Sequence, residues 1–218
     1  MGGGGAERTF LNIINALDRK EFEPLLVLCR KRGPYLKMLK EDVKAFCLNV
    51  PLRFAAIPLA YKIRKLEPDI VISTMRFANL VSALAVKLSG AKPHIVLRET
   101  NNLSAAGINP HNIIERLVGW SYRKADKVVS LSNGVKDDIV NRYDLPIDHV
   151  TTIYNPINID YIQIQARQEP EENCFVSNMK KDIFDVIGVG KLFHQKGFDI
   201  LIRAISKLRN LPVRLTIL

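Results

Sequence analysis

Between Pro24 and Ile153 short apolar runs alternate with stretches of helical periodicity, and this alternation constrains the fold more than any other feature of the chain. The runs are Pro24–Cys29 (PLLVLC), the weaker Val43–Val50 (VKAFCLNV), Asp69–Ser73 (DIVIS), Ile95–Arg98, Lys127–Leu131 (KVVSL) and Val150–Ile153. Such runs are too short for buried helices and too continuous for strands with one wet face. They predict strands of a parallel sheet covered on both sides. Asp69–Ser73 in particular is expected to be a buried strand, entered through Pro68.

The stretches between them predict helices. Phe10, Ile13, Ile14 and Leu17 follow the i, i+3, i+4, i+7 spacing of one helical face. Arg53–Leu66 is expected to be helical and kinked at Pro58. Phe77–Leu88 is a helix closed by Gly90, and Ile113–Arg123 is another. Asn133 is expected to cap a helix running to about Tyr143. Strand and helix in alternation give an α/β fold, doubly wound and Rossmann-like.

Residues 161–182 turn polar and predict a linker or an outer helix, after which the pattern restarts. Phe184–Val189 is a strand, Gly190–Lys196 a loop, Phe198–Leu208 a helix and Val213–Leu218 a strand. The expected organisation is an N-terminal Rossmann-like domain over 1–160, a linker over 161–182, and the opening of a second such domain over 183–218. So short a second segment is too small to bury a core of its own.

Composition excludes several alternatives. Of 218 residues 47% are apolar and 25% charged, which fits a globular protein and excludes a disordered chain or a coiled-coil rod. No stretch is long and apolar enough for a spanning helix, and Met1 followed by four glycines is not a secretion signal. Three scattered cysteines argue against a disulfide framework and for a reducing compartment. Four dispersed histidines give no zinc spacing. The net charge of +10 favours anionic partners: nucleic acid, a membrane surface or a phosphorylated substrate.

Three segments are candidates for chemistry. Gly2–Gly5 stands ahead of a helix, where glycine lets backbone amides approach a phosphate; a terminal tail is the plain alternative. Ile187–Asp199 (IGVGKLFHQKGFD) places Lys191 and Lys196 beside a helix N-terminus, an arrangement suited to a diphosphate, or else two solvated lysines. Arg98, Glu99, Thr100, Asn101 and Asn102 follow a strand at its carboxyl end, where ligands of open sheets bind. They could bind sugar hydroxyls, supply an acid or base, or anchor a loop. His194, inside the lysine loop, is more simply a surface residue than a catalyst.

These residues, in this order, resemble the family-4 glycosyltransferases of the GT-B fold. The matching segments are GGGGAERTFLNIINAL, which is similar to the subset opening with Gly-Gly-Ala-Glu-Arg; ADKVVSLSNGVKDDIVNRYDLPIDHVTTIYNPINID, which leads through Tyr-Asn-Pro to the interdomain linker; and GVGKLFHQKGFDILIRAI, which resembles the donor-loop motif. The resemblance implies that the N-terminal domain receives an acceptor and the C-terminal domain a nucleotide sugar. It implies transfer with retention of configuration, no bound metal and no cofactor beyond a donor expected to be UDP-linked.

By the same resemblance Gly4 and Gly5 approach the donor diphosphate or the reacting sugar. Lys191, in the family's usual arginine position, and Lys196 neutralise charge on the leaving nucleoside diphosphate. Glu99 stands near the place of a catalytic histidine in some relatives, which implies a catalytic role; Arg98 and Asn101 fall on the acceptor side. Two departures are evident. The strand expected ahead of the glycine loop is missing, and so is everything beyond Leu218, including a paired-glutamate E-x₇-E motif. The resemblance thus implies an incomplete transferase, poorly stable and with little or no turnover.

The expected partners are a nucleotide sugar and a glycan or lipid-diphosphate-linked acceptor. The expected location is the cytoplasm, with peripheral contact at the inner face of the membrane. A second reading is a non-catalytic acceptor-binding module that acts with a partner chain. Nucleic-acid binding has only the charge in its favour and no recognisable motif.

Overall fold

A computed structural model describes residues 4–109, 111–168, 183–208 and 210–218, side chain of residue 195 excepted. The chain divides into two compact units, Met1–Asn158 and Ile159–Leu218.

The first unit opens with helix α1 (Gly5–Ala16). The Glu7 carboxylate accepts the Gly4 amide at 2.9 Å, which satisfies a donor the helix itself cannot reach. Leu11 and Ile14 of α1 pack with Leu26 and Val43 in a small core. The buried face therefore runs through Thr9, Leu11 and Ile14 rather than Phe10, Ile13 and Leu17, which are half-buried. Strands β1 (Leu25–Leu28) and β2 (Lys44–Cys47) pair in parallel beside it.

The main sheet is also parallel, in the order β3 (Ile70–Thr74), β4 (His94–Glu99), β5 (Lys127–Ser130), β6 (Val150–Thr152). Its core joins Leu97, Val118, Tyr122, Val128, Ile139 and Val150. Strand β3 is not the buried strand expected. It lies at the edge of this sheet, and Ile70 and Ile72 on one face are 45% and 51% exposed.

Helix α2 (Ala56–Leu66) follows a 3₁₀ turn, Leu52–Phe54, so the expected single helix from Arg53 is two elements. Pro58 then falls in the first helical turn, where no intrahelical N–H is needed and no kink results. Helix α3 (Arg76–Ser89) ends at Gly90, whose φ of 73° is the left-handed C-cap. Asn112 caps α4 (Ile113–Lys124) by accepting from the Ile114 amide. Ser132, not Asn133, caps α5 (Asn133–Tyr143): its Oγ accepts the Val135 amide at 3.3 Å.

The second unit begins with α6 (Ile159–Ala166), which overlaps the start of the 161–182 segment expected to be linker or outer helix; 169–182 lie outside the described residues. Strands β7 (Phe184–Gly188) and β8 (Val213–Ile217) pair in parallel, with α7 (Phe198–Ser206) between them in sequence. Among the described residues of this unit none is buried.

Candidate functional site

At the carboxyl end of β4 the chain turns on Arg98 and Glu99, both buried. Glu99, at 0% exposure, accepts the amides of Thr100 at 2.7 Å and Asn101 at 3.1 Å on one oxygen. Its other oxygen accepts the Tyr122 hydroxyl at 2.5 Å. Burial, followed by the neighbouring Glu99 charge, pushes the Tyr122 phenol well above its usual range, so it remains a donor. Asn79 completes the cluster: its amide reaches Tyr122 at 3.4 Å and the Arg98 carbonyl at 3.0 Å, and its carbonyl accepts the Ser73 hydroxyl at 2.8 Å.

Arg98 donates to Thr74 Oγ1 at 3.1 Å and to the side-chain carbonyl of Asn155. Burial lowers its pKa, against the opposing pull of Glu99. Asn155 belongs to the Tyr-Asn-Pro segment, and the next carbonyl, Pro156, accepts from Asn12 of α1 at 3.4 Å. Arg98 and Glu99 thus stitch three segments of the first unit together. Glu99 is thus enclosed by three local donors, and Arg98 is nearly as buried. Asn101 is exposed, and only its amide is tied to Glu99.

Another part of the first unit holds a second candidate, which no motif in the sequence marks. An open pocket of about 370 Å³ is lined by Glu7, Cys29, Arg30, Arg32, Val50, Pro51 and Leu52. Two of its walls follow β1 and β2 at their carboxyl ends, and the third is the first turn of α1. This is the edge at which parallel sheets bind ligands, and two arginines give it affinity for an anion. The signal was present in Arg30, Lys31 and Arg32, directly after the apolar run Pro24–Cys29. Gly4 and Gly5 border this region. The Gly4 amide is engaged by Glu7, and nothing within 4 Å would meet a side chain on Gly5.

In the second unit β7 delivers the lysine loop. A Cβ on Gly188 would stand 3.0 Å from the Phe198 ring, a tight contact, so the glycine eases the close packing of the first turn of α7 on the strand end. The Gly190 amide donates to the Leu218 carbonyl at 2.8 Å, which fixes the start of the loop. Gly197 turns the chain into α7 with a φ of 66°. The Lys196 stem lies beside Gly190, its Cδ 3.8 Å from where a Cβ would be, and Lys191 is the next residue after Gly190. Lys191, Lys196 and His194 are exposed. Among the described residues no group of His, Cys, Asp and Glu is placed to hold a metal ion, and no helix is long and apolar enough to cross a membrane.

Residues 3–161 match the profile of Glycosyltransferase Family 4. The chain belongs to this family. It is 28% identical, over 96% of its length, to the N-acetylgalactosamine-N,N'-diacetylbacillosaminyl-diphospho-undecaprenol 4-alpha-N-acetylgalactosaminyltransferase of Campylobacter jejuni. Its fold is similar to that of HepE from Anabaena in complex with UDP and glucose (TM-score 0.68, 20% identity, 98% of this chain). A glycosyltransferase from Rickettsia africae superposes with a TM-score of 0.66 at 24% identity over 99% of this chain. The chain spans 58% of the Campylobacter relative and 57% of each of these two structures. The α/β architecture with parallel sheets is accordingly that of the family's GT-B fold.

Proposed function

We propose that the chain serves the transfer of a sugar, with retention of configuration, from a UDP-linked donor to a glycan or lipid-diphosphate-linked acceptor. The observation that carries this reading is the lysine loop: two exposed ammonium groups where β7 gives way to α7, around glycines that admit close approach. There Lys191 and Lys196 bind the donor diphosphate and stabilise the charge that grows on it as the sugar leaves. Two lysines at this position supply the positive charge a metal would otherwise bring, and the reading has no bound metal.

The acceptor side lies in the first unit. Arg30 and Arg32 in the open pocket suit an acceptor phosphate, and Asn101 is placed to meet a sugar hydroxyl. Arg98 and Glu99 hold that edge in shape without touching the substrate. The lipid-linked acceptor in the name of the Campylobacter relative supports the same class of acceptor here. Such an acceptor places the reaction at the inner face of a membrane, with the chain in peripheral contact.

The 218-residue chain is expected to turn over slowly by itself, since no described residue of the second unit is buried to hold the donor loop rigid. The test is transfer of radiolabelled sugar from a panel of UDP-sugars to an undecaprenyl-diphosphate-linked saccharide. Label entering the lipid fraction, insensitive to chelator and lost in Lys191→Ala, supports the reading. Failure to bind any UDP-sugar and any such acceptor contradicts it. Acceptor binding without turnover, with turnover restored by a complementary donor-binding chain, favours the alternative of a binding module.

A further inference from the structure

The connection from β4 to α4, residues 100–112, is longer than the roughly 2–6 residues usual between a strand and a helix. A connection of that length without regular structure of its own is commonly a binding loop or a loose one. This one is tied down, and helix α5 supplies most of the ties.

Three positions of α5 meet the loop. The Gly134 carbonyl accepts the Asn102 side-chain amide at 3.4 Å. One oxygen of Asp138 accepts the backbone amides of Leu103 at 2.6 Å and Ser104 at 3.4 Å. Arg142 donates to the Ile108 carbonyl at 2.5 Å. Residues 134, 138 and 142 are spaced by four, so they line one face of the helix. Leu103, at 2% exposure, drops into the main core beside these ties. Asn102 tightens the turn further by accepting the Ala105 amide at 2.7 Å.

These ties bracket Asn101. Before it, Glu99 holds the amides of Thr100 and Asn101 from within the first unit. After it, Asp138 holds the amides of Leu103 and Ser104 from α5. Two carboxylates therefore fix the backbone on both sides of Asn101, while Asn101 itself is exposed at the carboxyl edge of the sheet. A binding side chain fixed in this way loses little freedom when its ligand arrives.

We infer that Asp138 is a positioning residue for the acceptor: from α5 it clamps the β4–α4 loop so that the Asn101 side chain stands ready for a sugar hydroxyl. The inference rests on the acceptor role proposed above for Asn101 and adds the residue that sets its place. Asp138 touches neither substrate. It acts through the backbone of Leu103 and Ser104, and its loss lets the loop that carries Asn101 drift from the edge.

A double-mutant cycle tests this, on the wild-type chain, Asp138→Ala, Asn101→Ala and the double variant. Calorimetry measures the affinity of each for an undecaprenyl-diphosphate-linked saccharide in detergent micelles, and separately for UDP. Each single variant is expected to bind the saccharide about five-fold more weakly, the loss of one neutral hydrogen bond. The double variant is expected to bind no more weakly than either single one, because losses do not add when one residue acts through the other. UDP affinity is expected to stay at the wild-type value in all four. Amide exchange followed by NMR is expected to quicken at Leu103 and Ser104 in Asp138→Ala and not in Asn101→Ala. Asp138→Asn keeps an oxygen for one amide and is expected to lose only about two-fold. The same cycle is read with Asp138→Asn should Asp138→Ala fail to fold.

Wild-type saccharide affinity in Asp138→Ala, with the two amides released, makes Asp138 an anchor of the fold alone and overturns the inference while the acceptor role of Asn101 stands. Losses that multiply in the double variant overturn it as well, since Asp138 then acts elsewhere than through Asn101. Unchanged exchange at Leu103 and Ser104 in Asp138→Ala overturns the clamp itself. A wild-type chain that binds no saccharide overturns the acceptor reading and the inference together.

Discussion

The Tyr122 hydroxyl donates to Glu99 at 2.5 Å in a site from which water is excluded, and the same carboxylate holds the amides of Thr100 and Asn101. One buried acid thus fixes both the end of β4 and the loop that leaves it. Tyr122→Phe removes one donor from a buried carboxylate and is expected to cost about 2 kcal/mol of stability. Glu99→Gln is expected to cost a similar amount. Urea denaturation measures both. If Glu99 were instead the chemical base, Glu99→Gln would abolish transfer and leave stability unchanged.

Two buried tyrosines make the fold sensitive to alkali. Burial raises the Tyr122 phenol well above its usual range, and burial with the Glu115 hydrogen bond raises Tyr143. A phenol whose pKa is higher folded than unfolded binds more protons in the native state. Its contribution is therefore complete below the unfolded pKa near 10 and declines as pH rises beyond it. Unfolding midpoints measured upward from neutral pH should hold until about pH 10 and then fall. The fall should be shallower in the Tyr122→Phe, Tyr143→Phe double variant.

A second buried acid joins the helices. Glu115 pairs with Arg76 at 2.5 Å, accepts the Tyr143 hydroxyl at 2.7 Å and faces Arg142 at 3.6 Å. The Arg142 guanidinium also donates to the Ile108 carbonyl at 2.5 Å, while its Nε has no hydrogen-bond partner among the described residues, and Glu115 is the acid that faces its charge. Glu115→Gln removes the acid that faces two buried or half-buried guanidinium groups and should cost about 3 kcal/mol, which thermal or urea unfolding would detect.

The open edge of β3 is expected to drive self-association. Ile70 and Ile72 stand exposed on a strand that, among the described residues, pairs only with β4. Ile72→Lys places a charge there and should suppress concentration-dependent association by light scattering, with little change in the far-ultraviolet circular dichroism.

How legible this protein was in its sequence differs by element. The parallel α/β architecture could be read because runs such as Asp69–Ser73 and Lys127–Leu131 are continuous enough for nothing else. Burial could not be read from the run alone. Ile70 and Ile72 look like core residues, yet whether a strand is central or at an edge depends on pairing far along the chain. The lysine loop was visible because glycines and lysines are close in sequence. The pocket arginines were not, since Arg30 and Arg32 meet Glu7 and Leu52 only after β1 and β2 pair. The surroundings of Glu99 were hidden for a related reason. A carboxylate at a strand's carboxyl end has the right chemistry for catalysis, and only the position of Tyr122 on α4 shows that it is enclosed.

The central claim is that the loop after β7 binds the diphosphate of a nucleotide sugar. Titration of UDP into the isotope-labelled chain, followed by amide NMR, tests it most directly. The account predicts shifts concentrated at the amides of Gly188, Gly190, Lys191, Lys196 and Gly197. Uridine should produce none, and Lys191→Ala and Lys196→Ala should each weaken binding by about ten-fold through loss of a charged hydrogen bond. Absence of any shift with UDP, or shifts equal for UDP and uridine, would contradict it.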